Sequence, residues 1–176
     1  FSVKMNESYV GSSALPAELT IPSSHNGSAV TQIEANGFRN WTGLTSVTIP
    51  DSVRRIGADA FGAATITSVT LPDPTVWYWL DGTDAPADAQ TLAQAYRAGS
   101  TQMLVRVREA GDLMEFEPLA DGTYSVVQAT YLTTFIHLIP TFEIPASYNG
   151  KAVTKVSYVI YGETTSVSMY GDWGSI

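Results

Sequence analysis

The sequence holds no cysteine. Disulfides, thiol nucleophiles and thiolate-bound metals are thereby excluded. Histidine is scarce, with only His25 and His137. A histidine-based catalytic pair would need these two to converge from distant parts of the chain. The plainer reading is a solvated turn for His25 and the face of an apolar strand, FIHLI, for His137. Cations are also few: nine Lys and Arg stand against 17 Asp and Glu, a net charge of −8. The densest basic group is Arg97, Arg106 and Arg108, whereas a phosphate-binding surface needs clustered Lys and Arg. Nucleic acid is therefore not an expected partner. No apolar run approaches the ~18 residues of a spanning helix, so the chain is not expected to cross a membrane. It opens on Phe1 rather than Met, which reads as a mature or trimmed form.

The chain is rich in apolar residues at 44%, enough for a globular core. Leu44, Val47 and Ile49 have the spacing of a short strand with one buried face. Ser46 and Thr48 alternate with them onto the other face. Pro50 ends the strand, having no N–H for a ladder. Val53, Ile56, Ala60 and Phe61 follow at the spacing of a compact, partly helical return. The unit then repeats. TSVTIP at Thr45–Pro50 returns as TSVTLP at Thr67–Pro72, 22 residues later, and again as TSVSMY at Thr165–Tyr170. A unit this small cannot bury its own apolar face, so the copies must stack.

These residues, LTSVTIPDSVRRIGADAF at Leu44–Phe61 and TSVTLP after them, resemble the BspA-like bacterial leucine-rich repeat. Ile21–Phe38 resembles the longer variant of that unit, with an Asn-Gly turn inserted before the Val. Two features depart from the pattern: Trp41 and Ala64 stand where the family has Cys, and Ile160-Tyr161 replaces Ala-Phe. The clear likeness covers Leu19–Pro72 and Ile144–Val156. It implies an α/β-type leucine-rich-repeat solenoid, strand-rich, with Ile21, Val47 and Val69 on adjacent parallel strands.

A second likeness is internal. At an offset of 123 residues, Phe1-Ser2-Val3 falls on Tyr124-Ser125-Val126 and Ile21-Pro22 on Ile144-Pro145. Asn26-Gly27 falls on Asn149-Gly150, and Ala29-Val30-Thr31 on Ala152-Val153-Thr154. Asn-Gly favours positive φ, so Gly27 and Gly150 are expected in tight turns. The expected organisation is a first repeat array at 1–72, a cap or connector at 73–122, and a second, degenerate or truncated array at 123–176. The connector matches no repeat. It is expected to hold a strand at Val76–Leu80 and a helix at Pro86–Ala98, capped by Thr83 or Asp84. A β-meander follows, in which Met103–Val107 and Leu113–Phe116 are joined by a turn at Ala110–Asp112 and lead to Tyr124–Val127. One helix plus this meander would close the open end of the stack.

No residue pattern carries visible chemistry. Asp81, Asp84 and Asp88 lack the alternate ligands and closing Glu of a calcium loop, and a helix cap explains them better. Glu115 and Glu117 share one strand face, but a glycosidase pair needs ~5–10 Å across a cleft that nothing else builds. Asn6, Asn26 and Asn40 match a glycan acceptor pattern that arises freely in a Ser/Thr-rich chain. Trp77, Tyr78 and Trp79 suit either sugar stacking or covering the end of a core. No cofactor, metal or catalytic residue is implied.

The resemblance implies a non-catalytic adhesion or binding module, secreted or on a bacterial cell surface. Its partner would be a host or bacterial surface protein, or a neutral glycan. Ser46, Thr48, Ser68 and Thr70 would line the concave strand face, either as adaptable hydrogen-bonding groups or merely as β-prone, solvent-tolerant residues. The alternative is a carbohydrate-binding or substrate-targeting module of a larger secreted enzyme, using Trp77 and Trp79.

Overall fold

A computed structural model describes residues 1–5, 15–62, 65–128, 132–135, 138, 142–156 and 167–169. The chain divides into two compact units, Phe1–Arg106 and Val107–Ile176.

The first unit runs β1 (Ser2–Val3), β2 (Glu18–Thr20), β3 (Ser24–His25), β4 (Ser28–Ala29), β5 (Gln32–Ile33), β6 (Ser46–Thr48), β7 (Arg55–Ile56), β8 (Ser68–Thr70), β9 (Trp77–Trp79), α1 (Ala89–Arg97) and β10 (Leu104–Arg106). The repeats form two ladders. In one, β2, β6 and β8 pair in parallel, with Leu19, Val47 and Val69 in one register row. In the other, β1, β5 and β7 pair in parallel, with Val3, Ile33 and Ile56 aligned. A parallel ladder follows from the repeat itself, because each copy returns to its starting side before the next strand begins. The row partner of Val47 is Leu19 rather than the expected Ile21. Ile21 lies two residues on, where its N–H donates to the Thr48 carbonyl, and it is buried like Ile49 and Leu71. The return after Pro50 is not helical. Its apolar positions fall just before the two-residue strand β7, on it and in the turn after it, and Val53, Ile56, Ala60 and Phe61 are all fully buried.

That turn has its own requirement. Asn36 and Asp59 hold the same place in successive repeats and have φ of 57° and 53°. Asn and Asp tolerate the left-handed region better than other residues with a side chain. Between them the backbones approach closely: a Cβ on Gly57 would lie 2.3 Å from the Ala35 amide nitrogen. The Asn-Gly turn joining β3 to β4 matches expectation, with φ of 50° at Asn26 and 77° at Gly27.

The end of the stack is closed by β9, α1 and β10. The helix begins at Ala89, three residues later than expected, and its cap is Asp88, not Thr83 or Asp84. The Asp88 carboxylate accepts from the Thr91 N–H at 2.7 Å and from the Thr91 hydroxyl at 2.9 Å. Leu92, Ala93 and Tyr96 on α1 are buried. β10 runs antiparallel to both β7 and β9. The expected meander of Met103–Val107 and Leu113–Phe116 is not what β10 joins: its two sides are taken by β7 and β9. A 3-10 helix, Ala110–Leu113, stands where the turn of that meander was expected.

The closing elements continue the repeat's own hydrogen bonds. The Phe1 carbonyl accepts from Thr31, the Thr31 carbonyl from Arg54, and the Arg54 carbonyl from Arg106. One row deeper, Asn36 donates to Ala58 and Asp59 donates to Ser100. The core is continued in the same way. Phe38 stacks on Phe61 with centroids 5.8 Å apart, and Tyr96 meets Phe61 edge-on at 5.2 Å. Tyr96 thus takes the place that the next repeat's Phe would fill.

The second unit holds β11 (Met114–Pro118), β12 (Tyr124–Gln128), α2 (Leu132–Phe135), β13 (Phe142–Ile144), β14 (Ser147–Tyr148), β15 (Lys151–Val156) and β16 (Val167–Met169). Phe135 ends a helical turn instead of opening a strand, and His137 lies outside the described residues. The register repeats that of the first unit at the offset of 123. Ser2 pairs with Gln32 and Val3 with Ile33; Ser125 pairs with Lys155 and Val126 with Val156. Ser24 faces Ala29, and Ser147 faces Ala152. Asn149 and Gly150 have φ of 51° and 73°, as their counterparts do. β13 and β16 pair in parallel, so TSVSMY contributes a strand as TSVTIP does.

Candidate binding surface

The face available for recognition in the first unit is the outer side of the β2–β6–β8 ladder. Val47 and Val69 point inward and are fully buried. The alternation of a strand then sends Ser46, Thr48, Ser68 and Thr70 outward. The register places Glu18, Ser46 and Ser68 in one column and Thr20, Thr48 and Thr70 in another. Glu18 and the three threonines are exposed, while Ser46 and Ser68 are half-buried. The structure therefore brings the four expected hydroxyl residues together in two adjacent columns. Glu18 and Thr20 extend them by one row. They escaped the sequence reading because TSVTIP has no verbatim copy at AELTIP, although the LTIP ending was there to be seen.

Neighbouring threonines are occupied by the fold. Thr45 donates its hydroxyl to the Ala17 carbonyl, and Thr67 donates to the Thr45 carbonyl, both at 3.0 Å. The hydroxyl at this place in the repeat thus secures the strand beside it.

The two tryptophans sit elsewhere and differ from each other. Trp77 is 1% exposed and belongs to the core, so it offers no ring face to a ligand. Trp79 is half-buried, 6.1 Å from Tyr96 between centroids. Both lie on β9 in the closing layer, which is the core-covering role of cap aromatics.

The acidic groups are engaged in turns. Asp81 accepts from the Thr83 N–H at 3.0 Å, from the Thr83 hydroxyl at 2.7 Å and from the Gln102 amide at 2.9 Å. The Thr83 hydroxyl, then Gln102 and the Thr83 amide, hold its carboxyl at about 2 against an ordinary 3.8. Asp88 is lowered by the Thr91 amide and hydroxyl, and Asp121 by Thr123 in the same manner. No group of three or more metal-binding side chains occurs among the described residues. Glu115 is half-buried and Glu117 exposed on β11, and the only described partner strand there is β12. His25 is exposed beside Asn26 and stacks on Phe1, with centroids 5.6 Å apart. No helix among the described residues is long and apolar enough to cross a membrane.

Among known proteins, residues 8–78 match the family model described as the BspA type leucine rich repeat region, in six copies. No curated protein and no solved structure matches the chain. The matched residues carry β2 through β8, hence the whole β2–β6–β8 ladder and the β5–β7 pair of the other. This stretch of the chain is similar to BspA-type leucine-rich repeats.

Proposed function

We propose that this chain is a non-catalytic binding module, secreted or displayed on a bacterial surface, that recognises a protein or a neutral glycan. In this reading its repeats stack as a short solenoid whose outer strand face is the recognition surface. The observation that carries the reading is the pair of in-register columns, Ser46 with Ser68 and Thr48 with Thr70, on the solvent side of a rigid ladder. Short hydroxyl side chains there donate and accept hydrogen bonds without a reactive group, and stacked repeats fix their spacing. The net charge of −8 disfavours an anionic ligand. Repeat modules gain strength by extended contact and multivalent display, so a single copy is expected to bind weakly.

The test is a binding screen of the chain against extracellular matrix proteins and immobilised neutral glycans. Replacing the exposed Thr48 by lysine and, separately, Thr70 by lysine should each weaken binding by at least about tenfold, with circular dichroism showing each variant folded. Binding that survives both substitutions removes this face from the reading. Hydrolysis of any tested glycan or peptide, lost in Glu115→Gln or Glu117→Gln, would overturn the non-catalytic assignment.

A further inference from the structure

The two Asn-Gly turns are copies of one hairpin tip with different neighbours. Asn26-Gly27 joins β3 to β4, and Asn149-Gly150 joins β14 to β15. Both tips hold asparagine and glycine at positive φ, and all four residues are exposed. In the second unit that exposure holds within a sheet of β11, β12, β15 and β14, so it belongs to the hairpin tip itself. A Cβ on Gly27 or Gly150 would meet nothing within 4 Å. Among the described residues no hydrogen bond holds the N–H of either glycine.

An asparagine followed by glycine can react with its own backbone, because glycine has no Cβ to obstruct the approach. The glycine nitrogen attacks the asparagine side-chain carbonyl carbon. A C–N bond closes a cyclic imide, the attacking nitrogen gives up its proton, and the side-chain nitrogen takes one up and leaves as ammonia. Water then opens the imide at either carbonyl, giving aspartate or isoaspartate. An amide nitrogen departs readily only when protonated, so a proton donor within hydrogen-bond reach speeds the step. The two turns differ at this point. His25 places Nε2 3.2 Å from Nδ2 of Asn26, the atom that leaves. At the offset of 123 its counterpart is Tyr148, whose ring lies flat on Phe116 at 4.0 Å and edge-on to Tyr124 at 5.2 Å. No hydrogen bond joins Tyr148 to Asn149.

We infer that Asn26 is a self-modification site, at which the Gly27 nitrogen closes on the Asn26 side chain while His25 hands a proton to the departing Nδ2. The imidazole with its proton on Nε2 is the donor. It regains a proton from water, which has received the one lost by Gly27, so the balance closes with ammonia as the only product released. His25 touches the leaving atom and is the general acid of this reaction. The isoaspartate product adds one carbon to the main chain inside the two-residue turn that sets Ser24 opposite Ala29. The change therefore loosens the β3–β4 pairing and puts a carboxylate at its tip. This site lies off the β2–β6–β8 ladder and does not depend on the hydroxyl columns.

The second turn serves as the control within the same molecule. The full chain is held at physiological temperature and neutral pH, sampled over days and peptide-mapped by mass spectrometry, with isoaspartate told from aspartate by electron-transfer fragmentation. Asn26 should convert at least about tenfold faster than Asn149, and hydroxylamine should cleave the chain after Asn26 while the imide is present. His25→Tyr and His25→Gln should each bring Asn26 down to the rate of Asn149. His25 is exposed, and circular dichroism should show both variants folded. In the chain unfolded by urea the two rates should converge, because the contact between His25 and Asn26 is lost. Equal rates at the two asparagines in the folded chain overturn the proposal. So does a rate at Asn26 unchanged by both His25 substitutions. A preference for Asn26 that persists in urea overturns it as well, because local sequence and not the folded contact would then set the rate.

Discussion

Tyr96 and Phe61 touch edge-on, yet the same core gives their substitutions opposite signs. Phe61 is fully buried between Phe38 and Tyr96, and truncation leaves a hole in a column that cannot slide shut. Phe61→Ala should cost ~3–5 kcal/mol, read as a lowered urea midpoint at constant slope. Tyr96 is also fully buried, but its hydroxyl has no hydrogen-bond partner among the described atoms. Burial accordingly pushes its ionisation well above the ordinary tyrosine range. Removing an unsatisfied buried hydroxyl while keeping the ring is expected to stabilise, so Tyr96→Phe should raise the unfolding free energy by about 1 kcal/mol. A loss of stability in that variant would show that the hydroxyl is engaged in solution. The hydroxyl marks the point where a cap residue was fitted into a slot shaped for phenylalanine.

At the scale of elements, legibility followed period. TSVTIP and TSVTLP are near-copies, and the parallel β6–β8 pair, its register and its inward valines could all be read from them. Asn26-Gly27 and Asn149-Gly150 were equally plain, because a turn needing two positive φ values admits few residues. The closing layer was not legible in this way. Nothing local in Leu104–Arg106 says that it will pair with β7 rather than β11, since that choice depends on which edge the stack leaves open. Asp88 was passed over for Asp84 because both precede the helical pattern, and only the Thr91 contacts separate them. The four hydroxyl residues were found by their alternation with valine, whereas the burial of Trp77 could not be told from a strand whose two faces are both aromatic or apolar. The Asp81 turn between β9 and α1 carries a pH signature of its own. Its carboxyl titrates at about 2 in the folded chain and near 3.8 when free of partners. Folding therefore gains from this group in full above the free value, and the gain fades as pH falls through about 2. Urea midpoints measured at descending pH should drop across that window, and Asp81→Asn should make the drop shallower. An unchanged acid limb in Asp81→Asn would remove this turn from the acid sensitivity.

At the scale of the molecule, the division of the chain rests on how a stack of repeats ends. A parallel ladder exposes apolar surface and unpaired backbone at its last strand. In the first unit that end is met by Tyr96 in the aromatic column, by Ser100 accepting from Asp59 and by Arg106 donating to Arg54. These residues lie well beyond Pro72, where the last clear repeat motif stops. The compact unit is therefore the span Phe1–Arg106 rather than the repeats alone. Leu92, Ala93, Tyr96 and Leu104 are all at 0% exposure and join the same core cluster as Val47 and Phe61. Cutting after Pro72 would expose that cluster and delete Trp77 with it. Two fragments test this directly. Residues 1–106 should express as a soluble monomer with a single cooperative urea transition. Residues 1–72 should lack that transition and aggregate, because three stacked strands are too few to bury their own open face. Equal cooperativity of the two fragments would mean that the repeats close without β9, α1 and β10. In that case the hydrogen bonds to Ser100 and Arg106 would be decoration on a stack that is already complete.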